Sequence, residues 1–142
     1  FSPKIKDVRA WINEKNEKGN RIAFRPYGEH GLSLFTGLTH NQVQNAKLSH
    51  CEPALIVEYG QNQFQIWLKH DRKLLADAAR QVSAHLCRKL GADCEHSKSD
   101  SFGYLVGFVV PAEEKPFLVQ LVAHSGEVFS SARALNDRLA MN

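Results

Sequence analysis

Apolar positions along the chain fall into two clean periodicities. Ile5, Val8, Trp11 and Ile12 recur at helical spacing, with Ser2 as N-cap, so a helix is predicted from Pro3 to about Lys15, ended by Gly19-Asn20. Arg21–Arg25 and Leu32–Phe35 read as short extended runs around a turn at Pro26, Gly28 and Gly31. Thr39 should cap a short helix from His40 to Leu48, with Val43 and Leu48 facing inward. Pro53 to Tyr59 and Gln63 to Lys69 then form a predicted hairpin about the turn Gly60-Gln61-Asn62. Period-two alternation puts Phe64, Ile66 and Leu68 on one face and Gln63, Gln65, Trp67 and Lys69 on the other.

Asp71 reads as the cap of the longest helix, from about Arg72 to Leu90. Its apolar stripe is Leu75, Ala78, Ala79, Val82, Leu86 and Leu90, and Gly91 is its stop. A polar segment, Cys94 to Ser101, leads to extended runs Gly103–Val110 and Phe117–Ala123, separated by a charged turn, Glu113 to Pro116. Ser130 should open a terminal helix through Leu135 and Leu139. This order predicts one α+β domain, an antiparallel or mixed sheet with helices packed mainly on one side.

Composition changes this picture little. With 142 residues, 43% hydrophobic and 23% charged, the chain suits one globular core. No apolar run reaches the ~18 residues of a membrane span, so no membrane partner is expected. The first residue is not Met, and the expectation is a piece, residues 1–142, of a larger polypeptide. A net charge of +3 favours phosphate attraction without demonstrating it. Cys51, Cys87 and Cys94 are odd in number and unrelated in context, which favours a reducing cytoplasm over a disulfide framework. With His50 and His96 they match no structural zinc spacing and read as separate residues.

Several stretches, taken in order, are similar to the RepB-type primases of plasmid replication and mobilisation proteins. They are Ile22-Ala23-Phe24-Arg25-Pro26; Ala54-Leu55-Ile56-Val57-Glu58 with Gly60 to Trp67; Gly91-Ala92-Asp93; Gly103-Tyr104-Leu105-Val106-Gly107-Phe108; and Leu118 to Ala123 with Gly126 and Ser131 to Leu135. The resemblance implies a primase-like, RRM-related core. It also implies a nucleotide pocket where an adjacent aspartate pair after the second strand and a third aspartate after the long helix hold divalent metal. Phosphodiester formation needs such a cradle, because metal activates the nucleophile and neutralises the phosphates.

The chain departs from that pattern. Thr36 and Gly37 stand where the aspartate pair is expected, and Asp93 alone keeps the third position. An arginine that the family carries before its Gly-Phe has no counterpart in Gly103-Tyr104-Leu105. The expected reading is a vestigial, non-catalytic primase-like domain with no cofactor. It would belong to a bacterial mobilisation (relaxase, conjugation) or plasmid-replication protein and hold single-stranded DNA or dock partner domains. Candidate nucleic-acid contacts are Arg25, Gln65, Trp67, Lys69 and Lys98: the ring to stack on a base, the polar groups to reach base edge and phosphate. The plainer readings are a sheet face with Trp67 buried, Arg25 paired with Glu29 or Glu58, and Lys98 in a solvated loop. Rival functions are an active primase using Mg or Mn held by Asp93 with Asp100 or Glu58, and a structural interaction domain.

Overall fold

A computed structural model describes residues 5–98 and 100–129. The terminal helix expected from Ser130 lies outside them. Helix α1 (Ile5–Glu17) leads to β1 (Ala23–Phe24), β2 (Leu32–Leu38), α2 (His40–Leu48), β3 (Leu55–Gly60), β4 (Gln63–His70) and α3 (Ala76–Leu90). Short strands follow: β5 (Gly103–Tyr104), β6 (Val109–Val110), β7 (Phe117–Leu118), β8 (Gln120–His124) and β9 (Val128–Phe129). The main sheet runs β2-β4-β3-β8 with antiparallel neighbours, and β9 pairs parallel with the end of β4. The sheet is therefore mixed, and the α+β class expected from the sequence is what the chain adopts.

Alternation decides which face is covered. Ile66 lies between Phe35 of β2 and Ile56 of β3, and these three join Phe64, Leu68 and Phe129 against α2 and α3. The helices contribute Val43, Ala46, Val82, Leu86 and Leu90 to the same core. Burial of such side chains removes apolar area from water at roughly 25 cal/mol per Å². Gly91 ends α3 in the left-handed conformation, φ 71°, as expected. Thr39 caps α2, and Gln42 returns the bond to the Thr39 amide, closing a capping box; the Gln42 amide also donates to the Gly91 carbonyl and ties the two helices.

Four local expectations are corrected. Leu48 is exposed and Ala46 faces inward instead, because five helical steps from Val43 rotate a side chain by about 140°. Trp11 is exposed, while Val8 and Ile12 are half-buried near Leu105 and Phe108. The long helix begins at Ala76 rather than Arg72, and Leu75 is an exposed N-cap. The Asp71 amide donates to the Phe129 carbonyl and the Leu74 amide to that of His30, so these contacts hold the segment extended. The run Gly103–Val110 is broken by Gly107, φ 93°: its first part pairs with β1, its second with β7.

Candidate functional site

The site forms where β2 stops being regular. The register of β2 against β4 shifts between Phe35 and Leu38, a bulge that spans Thr36 and Gly37. Gly37 has φ 71°, in the left-handed region. A Cβ there would lie 2.9 Å from the Cβ of Asp93, so any side chain at position 37 would force a shift of Asp93 or of the bulge.

Thr36 is tied on every side. Its amide donates to Ser97 Oγ (2.9 Å) and its carbonyl accepts from the Asp93 amide (2.9 Å). Its hydroxyl accepts from Gln65 Nε2 (3.1 Å) and donates to Tyr59 Oη (3.3 Å), which also accepts the Gly37 amide (3.3 Å). The sequence-predicted trio Thr36, Gly37 and Asp93 is therefore brought together. An open cleft of about 410 Å³ lies over it, lined also by Arg21, Tyr59, Gln65, His96, Phe102 and Tyr104.

Asp93 opens the loop after α3. One carboxylate oxygen accepts from the Glu95 and His96 amides and the other meets His96 Nδ1 at 2.8 Å. The His96 hydrogen bond is the chief reason the Asp93 carboxyl sits below its usual range, and the same bond, with the carboxylate charge, raises the imidazole. Both groups are exposed. Cys87 and Cys94 form a disulfide, Cα–Cα 5.7 Å, which corrects the expectation of unrelated cysteines: the left-handed turn at Gly91 brings Cys94 back beside the helix end.

The donor set does not fit the family's divalent metal. Among the described residues Asp93 is the single carboxylate lining the cleft, and its oxygens are engaged. Asp100 lines neighbouring clefts and not this one, and alternation sends Glu58 to the helix-covered side while Tyr59 faces the cleft. No cluster of three metal-ligating side chains occurs among the described residues. Hard cations need several carboxylate oxygens together.

Of the candidate nucleic-acid residues, two are covered. The ribbon of β1 and β5 lies across the second face of the hairpin, pairing Phe24 with Gly103. Phe24 stacks on Trp67 at 5.4 Å between centroids, and a Cβ on Gly103 would come within 2.6 Å of the indole. Trp67 is 4% exposed and Gln65 2%, and the Gln65 carbonyl is taken by the Tyr104 amide at 2.9 Å. Neither offers a free surface to a base, because the ribbon occupies it; Gln65 lines the cleft over Thr36, and Trp67 lines the separate apolar hollow beside Phe24.

Arg25, Lys69 and Lys98 remain exposed. Arg25 donates to the Asp100 carbonyl and lies 4.9 Å over the Phe102 ring, with neither Glu29 nor Glu58 as partner. Lys98 faces Arg80 and Arg88 across a second cleft of about 590 Å³. Lys69 is four strand residues from Gln65, roughly 13 Å, beside Phe24 and His124 in a separate apolar hollow. Sequence reasoning missed Arg21, Tyr27, Tyr59 and Phe102. The available signal was the alternation of arginines and rings in Arg21-Ile22-Ala23-Phe24-Arg25-Pro26-Tyr27, on either side of β1.

The fold has clear relatives. The catalytic domain of primase RepB′, solved in complex with initiator DNA, superposes with a TM-score of 0.83 at 25% identity, over 95% of this chain and 75% of that one. Another structure of primase RepB′ gives 0.83 at 24% identity, over 95% of this chain and 50% of that one. The archaeo-eukaryotic primase domain of the cyanophage S-2L primase-polymerase gives 0.62 at 15%, covering 76% and 60%, a likeness of fold alone. The class is therefore a primase-like α+β domain. In sequence, Mobilization protein A of Escherichia coli is 32% identical over 105 residues, 69% of this chain. The chain matches a RepB-type primase domain of the kind mobilisation proteins carry, as its motifs suggested. It spans 14% of the length of that curated relative. No family model matches the chain. No helix among the described residues is long and apolar enough to cross a membrane.

Proposed function

We propose that the chain is a non-catalytic primase-like domain of a larger protein for DNA mobilisation, conjugation or plasmid replication, and that it holds single-stranded DNA. The observation that carries this reading is Gly37. Its left-handed backbone and the nearness of Asp93 disfavour a side chain at one position of the family's pair, and Thr36 fills the other, which supports a site without the pair in an intact frame. A scaffold can keep a binding surface after its chemistry is gone.

The DNA part rests on the exposed cations and rings. Arg25 with Phe102, the fully exposed Tyr27, and Lys98 with Arg80 and Arg88 give phosphate contacts interleaved with stacking surfaces. The relative RepB′ was solved with initiator DNA bound, which supports the same use here.

Fluorescence anisotropy with labelled single strands at rising salt tests the reading. Binding should weaken with salt, and Arg25→Ala with Lys98→Ala should lower the logarithmic salt slope by roughly 0.7 per lost contact. No binding at high micromolar protein would remove the DNA claim. Manganese-dependent primer synthesis abolished by Asp93→Ala would establish an active primase instead.

A second reading is docking to other domains of the same polypeptide. Leu118, Leu121, Val122 and Val128 are exposed on and beside the edge strand β8, an apolar surface that suits a neighbouring domain.

A further inference from the structure

We infer that the cleft over Thr36 has exchanged its affinity for cations for affinity toward anions, and binds a phosphate monoester directly, without divalent metal, through the Tyr59 hydroxyl and the Arg21 guanidinium. This rests on the reading of the site as non-catalytic and deepens it.

The hydrogen-bond count leads there. Gln65 Nε2 donates to Thr36 Oγ1, Thr36 Oγ1 donates to Tyr59 Oη, and the Gly37 amide donates to the same Tyr59 oxygen. Two hydroxyl hydrogens enter this chain and one is consumed within it. Reversing the Thr36–Tyr59 bond leaves the count unchanged: one O–H always has no acceptor among the described residues. With Thr36 donating, Tyr59 Oη accepts twice and its own hydrogen turns to the cleft; with the bond reversed, the spare hydrogen is that of Thr36, which lines the same cleft.

The other open groups have the same sense. Arg21 Nη1 makes a single long contact, 3.5 Å, to Tyr104 Oη, and that phenol accepts there while its own hydrogen has no acceptor among the described residues. Asp93, the one carboxylate among the described residues lining the cleft, has both oxygens occupied by His96 and the Glu95 and His96 amides. Where the resembling enzymes gather acceptors for a cation, this cleft presents donors. Acidic oxygens of phosphate match donors of this kind, and arginine is the residue best shaped for them.

The walls indicate what the phosphate is attached to. Tyr59 and Tyr104 stack at 4.9 Å between centroids, and Phe102 stands at the rim, 56% exposed. About 410 Å³ accommodates one nucleotide-sized group, whose base would lie against a ring. The monoester is thus the terminal phosphate of a strand or that of a free nucleotide.

Isothermal titration in excess EDTA distinguishes these sources, using inorganic phosphate, thymidine 5′-monophosphate and a short single strand with and without a 5′-phosphate. Saturable binding of the monophosphate is expected in EDTA, and a 5′-phosphate should tighten the strand. Tyr59→Phe, which keeps the ring stack, and Arg21→Ala should each weaken the monophosphate about ten- to hundredfold, as loss of a hydrogen bond to a charged group does. Thr36→Asp should abolish binding by repulsion, with melting curves confirming that each variant folds. Binding that requires added magnesium or manganese overturns the inference, as does binding indifferent to both Tyr59 and Arg21, or none at all. If unphosphorylated single strands still bind in that case, the proposed function stands without the inference. If the monophosphate binds and strands do not, the inference stands and the DNA-holding role fails.

Discussion

Gly37 and Asp93 are packed so closely that a side chain on the first would collide with the second: an added Cβ would sit 2.9 Å from that of Asp93. Gly37 also carries the bulge that turns its amide to Tyr59. A carboxylate at position 37 would therefore have to move Asp93 or the bulge, and restoring the pair needs a second substitution at Thr36.

Gly37→Asp should destabilise the domain by about 1–3 kcal/mol, chiefly through the close contact with the Asp93 Cβ, because aspartate pays less than most side chains for the left-handed conformation. Urea unfolding measures this. Equal midpoints for variant and parent would show that the bulge readjusts freely.

Gly103→Ala tests the covering ribbon. The added methyl would meet the Trp67 ring at 2.6 Å and must lift β5 or displace the indole. Overpacking of this kind costs about 1–3 kcal/mol. Trp67 fluorescence should shift to longer wavelength as water enters, and an unchanged spectrum would argue that the ribbon does not cover the indole.

His70 supplies a pH dependence. Burial is the main reason its imidazole is held below the ordinary value of about 6.5; neighbouring Asp71 opposes the shift and His30 adds to it. Its Nε2 meets Ser33 Oγ at 2.7 Å. The unfolded chain takes up a proton near pH 6.5 while the folded protein remains neutral, so this contribution to stability is complete above about pH 6.5 and is lost as pH falls through the lower, folded value. Denaturation midpoints for the parent and His70→Gln should converge on acidification. A parallel decline would assign the acid sensitivity elsewhere.

Cys87 and Cys94 should be found joined when the protein is purified without reductant. Mass mapping of the peptides checks it. Closing a loop of this length is worth about 2–3 kcal/mol by loop entropy, so reduction should lower the melting temperature, and Cys94→Ser should reproduce the reduced value.

The parts of the fold that were legible in the sequence are those governed by local periodicity. The hairpin of β3 and β4 followed from strict alternation between Phe64 and Lys69, and the stop at Gly91 from a glycine after an apolar stripe. The ribbon over Trp67 was not legible, because Phe24 and Gly103 pair across more than half the chain and each strand is two residues long. Asp71 looked like a cap, but β9 claims its amide from far along the sequence. The site was readable in part. Thr36, Gly37 and Asp93 could be aligned by motif order, whereas Tyr59 and Arg21 belong to it only through the bulge and the fold of β1.

Manganese titration followed by calorimetry tests the absent metal cradle most directly. With Asp93 tied to His96 and no second carboxylate among the described residues lining the cleft, the account predicts no saturable site tighter than about millimolar. A micromolar site that disappears in Asp93→Ala would contradict it.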